Sequence, residues 1–314
     1  MTKSVQQIKN RISGIEKTKK VTSAMQMISL SKLNRIEKLF YSFKPYFSKF
    51  ESLMHNLIKT QNSIPHPFLQ TKTMPEKICL CVITSDSGLC GLYNNAVINK
   101  TEEFIKNYTC SDPETPRREQ GLPPGRNNQI PSEDIWTNSQ DKISLVCVGK
   151  KGFNYFKKRP VEILNAHIGL NGRYSDKAVQ EITDNLTGIF TSGIARHVYI
   201  AYTHCQTAFV HAPKIEKLLN IEQTAQEQKE YIFEPQIDGI LEKIIPRYIL
   251  LKLKLIIIES FISEHASRAI AMKLSTDNAR DLLDTLIMLK NKLRQANITQ
   301  ELLEIISSSE ALKG

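Results

Sequence analysis

The first sixty residues carry one series of positions alternately four and three apart: Ile8, Ile12, Ile15, Lys19, Thr22, Gln26, Ser29, Leu33, Ile36, Phe40, Phe43, Phe47, Phe50, Met54 and Leu57. A mean spacing of about 3.5 sustained over this length is the coiled-coil signal, distinct from the ~3.6 of a helix lying on a globular core. It predicts a helical arm over 1–60. The seam is apolar at both ends and polar between Lys19 and Ser29, where Val21, Met25 and Ile28 form a second, offset stripe. That stripe reads as a shift of register combined with a contact to another chain. Pro45 is expected to bend the arm or break it locally.

The other end behaves alike. Pro246 to Ser307 contains no glycine or proline after its first position. Such a run predicts one helix on the order of 90 Å long, at ~1.5 Å per residue. No compact core buries a rod of that length, so it needs something to lie against, and the first arm is the candidate. This second arm, 236–314, opens apolar (Tyr248, Leu255, Phe261) and turns small and polar (Ser263, Ala266, Ala269, Ser275, Ala279). An apolar stripe is expected at Leu282, Leu286, Leu289 and Leu293, ending at Leu302, Leu303, Ile305 and Ile306. Tight helix packing accounts for small residues in a helix pair. It does not account for both arms turning polar or small over part of their length.

Between the arms, 76–235 alternates strand and helix signals. Ile78–Thr84 is a continuous apolar run, as in a strand covered on both faces. Further runs lie at Ile143–Val148, Val161–Leu164 and His197–Thr203, with helical spacing at Val97, Ile98, Phe104 and Ile105 and again at Ala178, Ile182, Leu186 and Ile189. This order predicts a small α/β domain with a mostly parallel sheet. Thr109–Asp141 holds five prolines and two glycines with almost no apolar residues, and is expected to be a disordered insertion. A polar linker, Glu222–Lys229, precedes Tyr231-Ile232-Phe233-Glu234-Pro235.

Charge changes the picture at one place. Of the formal net charge of +10, residues 1–60 supply twelve lysines and arginines against three glutamates. A basic arm reads as a surface for an acidic partner or as a solvated helix face. Aromatic residues interleave poorly with these cations, which argues against a nucleic-acid surface. The six cysteines sit mostly in apolar runs, as small hydrophobes do in a reducing compartment. The N-terminus lacks the features of a secretory signal, and the apolar run Ile244–Ile262 is interrupted by Arg247, Lys252 and Lys254, favouring a buried helix over a membrane span.

Candidate chemistry is sparse. The loop Ser85-Asp86-Ser87-Gly88-Leu89-Cys90-Gly91 stands where α/β domains cradle phosphates, yet it fits neither glycine-rich phosphate motif, and a tight turn is the better reading. Cys90 lacks an identifiable histidine partner and reads as a core thiol. Cys79 and Cys81 are expected to point to alternate sides of their strand, the wrong geometry for one metal site, and His204, Cys205 and His211 are too loosely spaced for ligation. No catalytic residue, cofactor or metal is expected.

Three segments carry a family resemblance: Ile8–Leu33, with Lys20-Val21-Thr22-Ser23-Ala24-Met25-Gln26-Met27; Val82–Gly91; and the run from Ser263-Glu264-His265-Ala266-Ser267-Arg268 through Ser275–Ala279 to Arg294–Leu302. The chain resembles the gamma subunit of the F-type ATP synthase over nearly its whole length. The resemblance implies an antiparallel, left-handed coiled coil of the terminal helices with a central Rossmann-like α/β domain. It implies a rotor shaft without a catalytic site, held in a hexamer of alpha and beta subunits, with epsilon and the c-ring at its base. The coupling would serve proton-driven ATP synthesis at the bacterial plasma membrane, reached only through the c-ring. By motif match, Lys20, Met25, Lys32, Arg268, Gln295, Thr299 and Glu301 fall at alpha or beta contacts, and Tyr231, Phe233 and Glu234 at the base. Three departures stand out: Ser87 in place of the family's Arg, Leu33-Asn34 in place of Met and a basic residue, and the 109–141 insertion. The competing readings are a nucleotide-dependent enzyme using the Ser85–Gly91 turn and a coiled-coil tether or nucleic-acid adaptor using the basic arm.

Overall fold

The computed structural model describes residues 2–60, 66–69, 77–110, 142–205, 211–221 and 237–311. The chain divides into two compact units, 1–31 with 268–314, and 32–267.

Helix α1 spans Thr2–Thr60 and continues through Pro45 without the expected break. Pro45 is exposed. Every position of the seam from Ile8 to Leu57 is buried or half-buried, so the 3.5 spacing identified the inward face. Helix α5 spans Ile237–Ala311 and begins before Pro246, which it contains. Its inward positions keep Leu286 and Leu293 of the leucine series and replace the other two. They run Met272, Thr276, Ala279, Leu283, Leu286, Lys290, Leu293 and Asn297, again four and three apart, while Leu282 and Leu289 are largely exposed.

In the larger unit the arms run antiparallel. The Tyr248 hydroxyl donates to Glu51 at 3.5 Å, and its ring stacks on Phe47 with centroids 6.0 Å apart. Lys254, further along α5, reaches the ring of Phe43, earlier on α1. In the smaller unit the Thr22 and Thr276 hydroxyls meet at 2.8 Å across the helices.

The sheet comprises β1 (Ile78–Ile83), β2 (Ile143–Val148), β3 (Glu162–His167), β4 (His197–Cys205) and β5 (His211–Leu219), in the order β3-β2-β1-β4-β5. The first four strands are parallel and β5 pairs antiparallel with β4. Of the three inner strands, β1 and β2 are buried throughout, as continuous apolar runs require. On one face, Ile78, Leu80 and Val82 pack with α2 (Tyr93–Cys110) and α3 (Lys150–Phe156). On the other, Cys79, Cys81 and Ile83 pack with α4 (Asp176–Thr191) and with the arms through Phe43, Phe47, Ile249 and Ile257. Cys79 and Cys81 therefore share a face, correcting the expectation of alternate sides: residues two apart in a strand point the same way. Burial pushes the thiol pKa of Cys79 and Cys147 up to about 12. The insertion's residues 111–141 and the Glu222–Lys229 linker lie outside the described residues.

Candidate functional site: helical arms and a buried joint

The surface of the smaller unit follows from its sequence. Small and hydroxyl residues hold the helix pair together, and the hydroxyls are satisfied locally, Ser29 donating to the Met25 carbonyl at 2.8 Å and Thr276 to Met272 at 2.8 Å. Apolar side chains outside the seam face outward: Val21, Met27 and Ile28 on α1, Ile270 and Leu274 on α5. From Ile298 to Ser309 every residue of α5 is exposed, including Leu302, Leu303, Ile305 and Ile306. Those turns carry apolar side chains that nothing in the described chain covers.

The sequence-predicted contact residues take different positions. Lys20 is exposed and Met25 half-buried on α1. Gln295 and Thr299 share a face of α5, the Thr299 hydroxyl donating to the Gln295 carbonyl at 3.0 Å, while Glu301 points elsewhere around the helix. Arg268 is only 6% exposed, at the end of a buried polar run, Ser263, Glu264 and His265. Lys32, in the larger unit, donates to the Asn171 carbonyl at 3.3 Å. Tyr231, Phe233 and Glu234 lie outside the described residues.

Sequence reasoning missed a joint in the larger unit, built around the loop 168–175 between β3 and α4. Asp86, just past β1, accepts backbone N–H bonds from Lys150 at 2.9 Å, Gly169 at 3.2 Å and Asn171 at 2.6 Å. One carboxylate thus ties together the ends of three parallel strands. The loop is then tied to both arms. His265, fully buried on α5, donates through Nε2 to the Gly172 carbonyl at 2.9 Å. Lys254 pairs with Asp176 at 2.9 Å and lies between the rings of Phe43 and Tyr174. Tyr174 in turn donates to Asp176, which holds that carboxyl below its usual range. Gly172 has φ +62°, and a Cβ there would stand 2.6 Å from His265 Nε2. The signal in the sequence was an acid directly after a strand and the glycine-asparagine-glycine cluster at 169–172; neither matches a motif.

The same carboxylate bears on nucleotide binding. At the strand ends where a phosphate would seek N–H donors, Asp86 already occupies them. Cys90 is buried, with Asn94 donating to its sulfur at 3.0 Å and Ser85 near by. Among the described residues no group of acidic, histidine or cysteine side chains is placed to hold a metal ion.

Long N- and C-terminal helices flank a central, mostly parallel sheet. Similarity to known proteins agrees. A family model described as ATP synthase matches residues 4–312. The chain is 30% identical to the ATP synthase gamma chain of Protochlamydia amoebophila over 99% of both chains. It is 32% identical to that of Salinibacter ruber, over 99% of this chain and 98% of the relative. In fold it is similar to a chain of the Euglena gracilis mitochondrial ATP synthase (OSCP/F1/c-ring), with a TM-score of 0.64, 15% identity and coverage of 99% and 95%. It is also similar to one from the Tetrahymena thermophila central stalk and c-ring, with a TM-score of 0.55, 18% identity and coverage of 81% and 98%. The chain belongs to the ATP synthase gamma-chain family. Members are non-catalytic subunits of the complex.

Proposed function

We propose that this chain is the rotating shaft of an F-type ATP synthase, turned through the c-ring and seated among alpha and beta subunits. The observation carrying this reading is the long helix pair whose outward face bears Val21, Met27, Ile28, Ile270 and Leu274 and whose last turns of α5 leave apolar side chains uncovered. A shaft must present a different outline to each partner it passes. Coupling requires that it interact with each catalytic state with a different free energy. Basic Lys20 and Lys32 suit acidic partner loops. Met25, Arg268, Gln295, Thr299 and Glu301 are assigned to alpha and beta contacts, and Tyr231, Phe233 and Glu234 to the epsilon and c-ring side. The joint at Asp86, Gly172 and His265 fits the need to pass torque from the sheet domain to the arms.

No described helix is long and apolar enough to cross a membrane. In this reading attachment is peripheral, through the c-ring, on the cytoplasmic side of a bacterial plasma membrane, with protons as the transported ion. The test is purification of a tagged copy from its own cell. Alpha, beta and epsilon subunits are expected to accompany it, and the purified chain alone is expected to hydrolyse no ATP. ATP hydrolysis by the isolated chain, or recovery without those subunits, overturns the reading.

A further inference from the structure

Between α1 and the 168–175 loop lies an open cleft of about 660 Å³, lined by Lys32, Arg35, Ile36 and Leu39 of the helix and by Arg173 and Tyr174 of the loop. The volume lies within the range of small-molecule sites. Three cations line it and no carboxylate does. Neighbouring lysines of the same unit are neutralised, Lys254 by Asp176 at 2.9 Å and Lys252 by Glu216 at 2.8 Å. Among the described residues the guanidinium groups of Arg35 and Arg173 make no ion pair. Lys32 reaches across to the Asn171 carbonyl at 3.3 Å. Like charges gathered in a concavity raise a positive potential that favours an anion.

The cleft is also preorganised. The loop backbone on either side of Arg173 is fixed by Asp86, by His265 and by the Lys254–Asp176 pair. The point at which Arg173 leaves the backbone is therefore set before a ligand arrives, which removes part of the cost of binding. The walls narrow the choice of ligand. Ile36 and Leu39 are apolar, and the Tyr174 ring is held in place by Lys254 at 5.0 Å. Inorganic phosphate would satisfy the cations and leave this wall wet; a phosphate attached to an apolar body uses both. Arg is the side chain best matched to phosphate, through its paired N–H donors.

We infer that this cleft binds a phosphate-bearing organic anion, gripped by Arg35 and Arg173, its apolar part against Ile36, Leu39 and Tyr174. Occupancy bridges α1 to the sheet domain. The assignment does not depend on the rotor reading, because the isolated full chain suffices to test it.

Titration calorimetry of the full-length chain at low salt, with phenyl phosphate and with inorganic phosphate, reads both halves of the site. Phenyl phosphate is expected to bind roughly tenfold tighter than inorganic phosphate, and the double variant Arg35→Gln/Arg173→Gln to weaken it by roughly tenfold or more. Both arginines are exposed, so an unchanged Tm of the double variant verifies that the fold survives. Flotation with phosphatidylglycerol vesicles, against phosphatidylcholine, separates the sources: co-flotation lost in the double variant supports a lipid headgroup, and soluble binding alone supports a free organic phosphate. Equal affinity in parent and double variant overturns the site. So does displacement of phenyl phosphate by a hexaglutamate peptide at equal or lower concentration, which would assign the cleft to an acidic protein segment.

Discussion

Gly172 shows how much of the joint depends on single atoms. Its left-handed backbone costs any residue with a Cβ about 1–2 kcal/mol, before the 2.6 Å approach to His265 is counted. Gly172→Ala is expected to lower the Tm of the isolated chain by roughly 4 °C or more; a scanning-calorimetry trace matching the parent would show that the loop does not need this close approach. Glu216 makes a second prediction. Burial raises its carboxyl pKa, but the hydrogen bonds from Lys214 and Lys252 outweigh this and bring it down to about 2. A folded-state pKa below the unfolded one contributes stability that is complete above the ordinary carboxylate range and fades as pH falls toward 2. Glu216→Gln should remove that contribution. The difference in unfolding free energy between parent and variant is therefore expected to shrink as the buffer is taken from pH 5 to pH 2.5.

At the scale of elements, α1 was readable residue by residue because its seam is a long unbroken periodic series, each position of which is inward. On α5 the same rule held but was masked by composition. Leu286 and Leu293 are inward as expected, but Leu283 and Lys290 hold the inward positions that hydrophobicity alone gave to Leu282 and Leu289. The four parallel strands were recognisable from their apolar runs, whereas β5, with Pro213, Lys214, Glu216 and Lys217, gave no such signal at the sheet edge. The joint was illegible for a different reason: Asp86, Asn171 and His265 are far apart in sequence, and only the crossover after β3 brings them together. Two element-scale outcomes follow. Phe47→Ala, within the core where α1 meets Tyr248, is expected to cost about 3–5 kcal/mol, measured by denaturant unfolding. Removing residues 298–314 is expected to leave the Tm unchanged, since the described turns there bury nothing, while, on the proposed function, lowering the ions pumped per ATP hydrolysed by the assembled complex. A large fall in Tm, or pumping at the parental ratio, would count against the assigned role of that end.

For the molecule as a whole, charge and surface divide the labour. The basic excess lies on the first arm, the globular core lies on both faces of the sheet, and the anionic ligand proposed for the cleft would act where the two are tied. The last turns of α5 also bear on how the protein must be made. Leu302, Leu303, Ile305 and Ile306 stand bare within five residues, a density of apolar surface that invites self-association. A copy made without a partner to cover these turns is therefore expected to self-associate through them, which light scattering of the isolated chain checks.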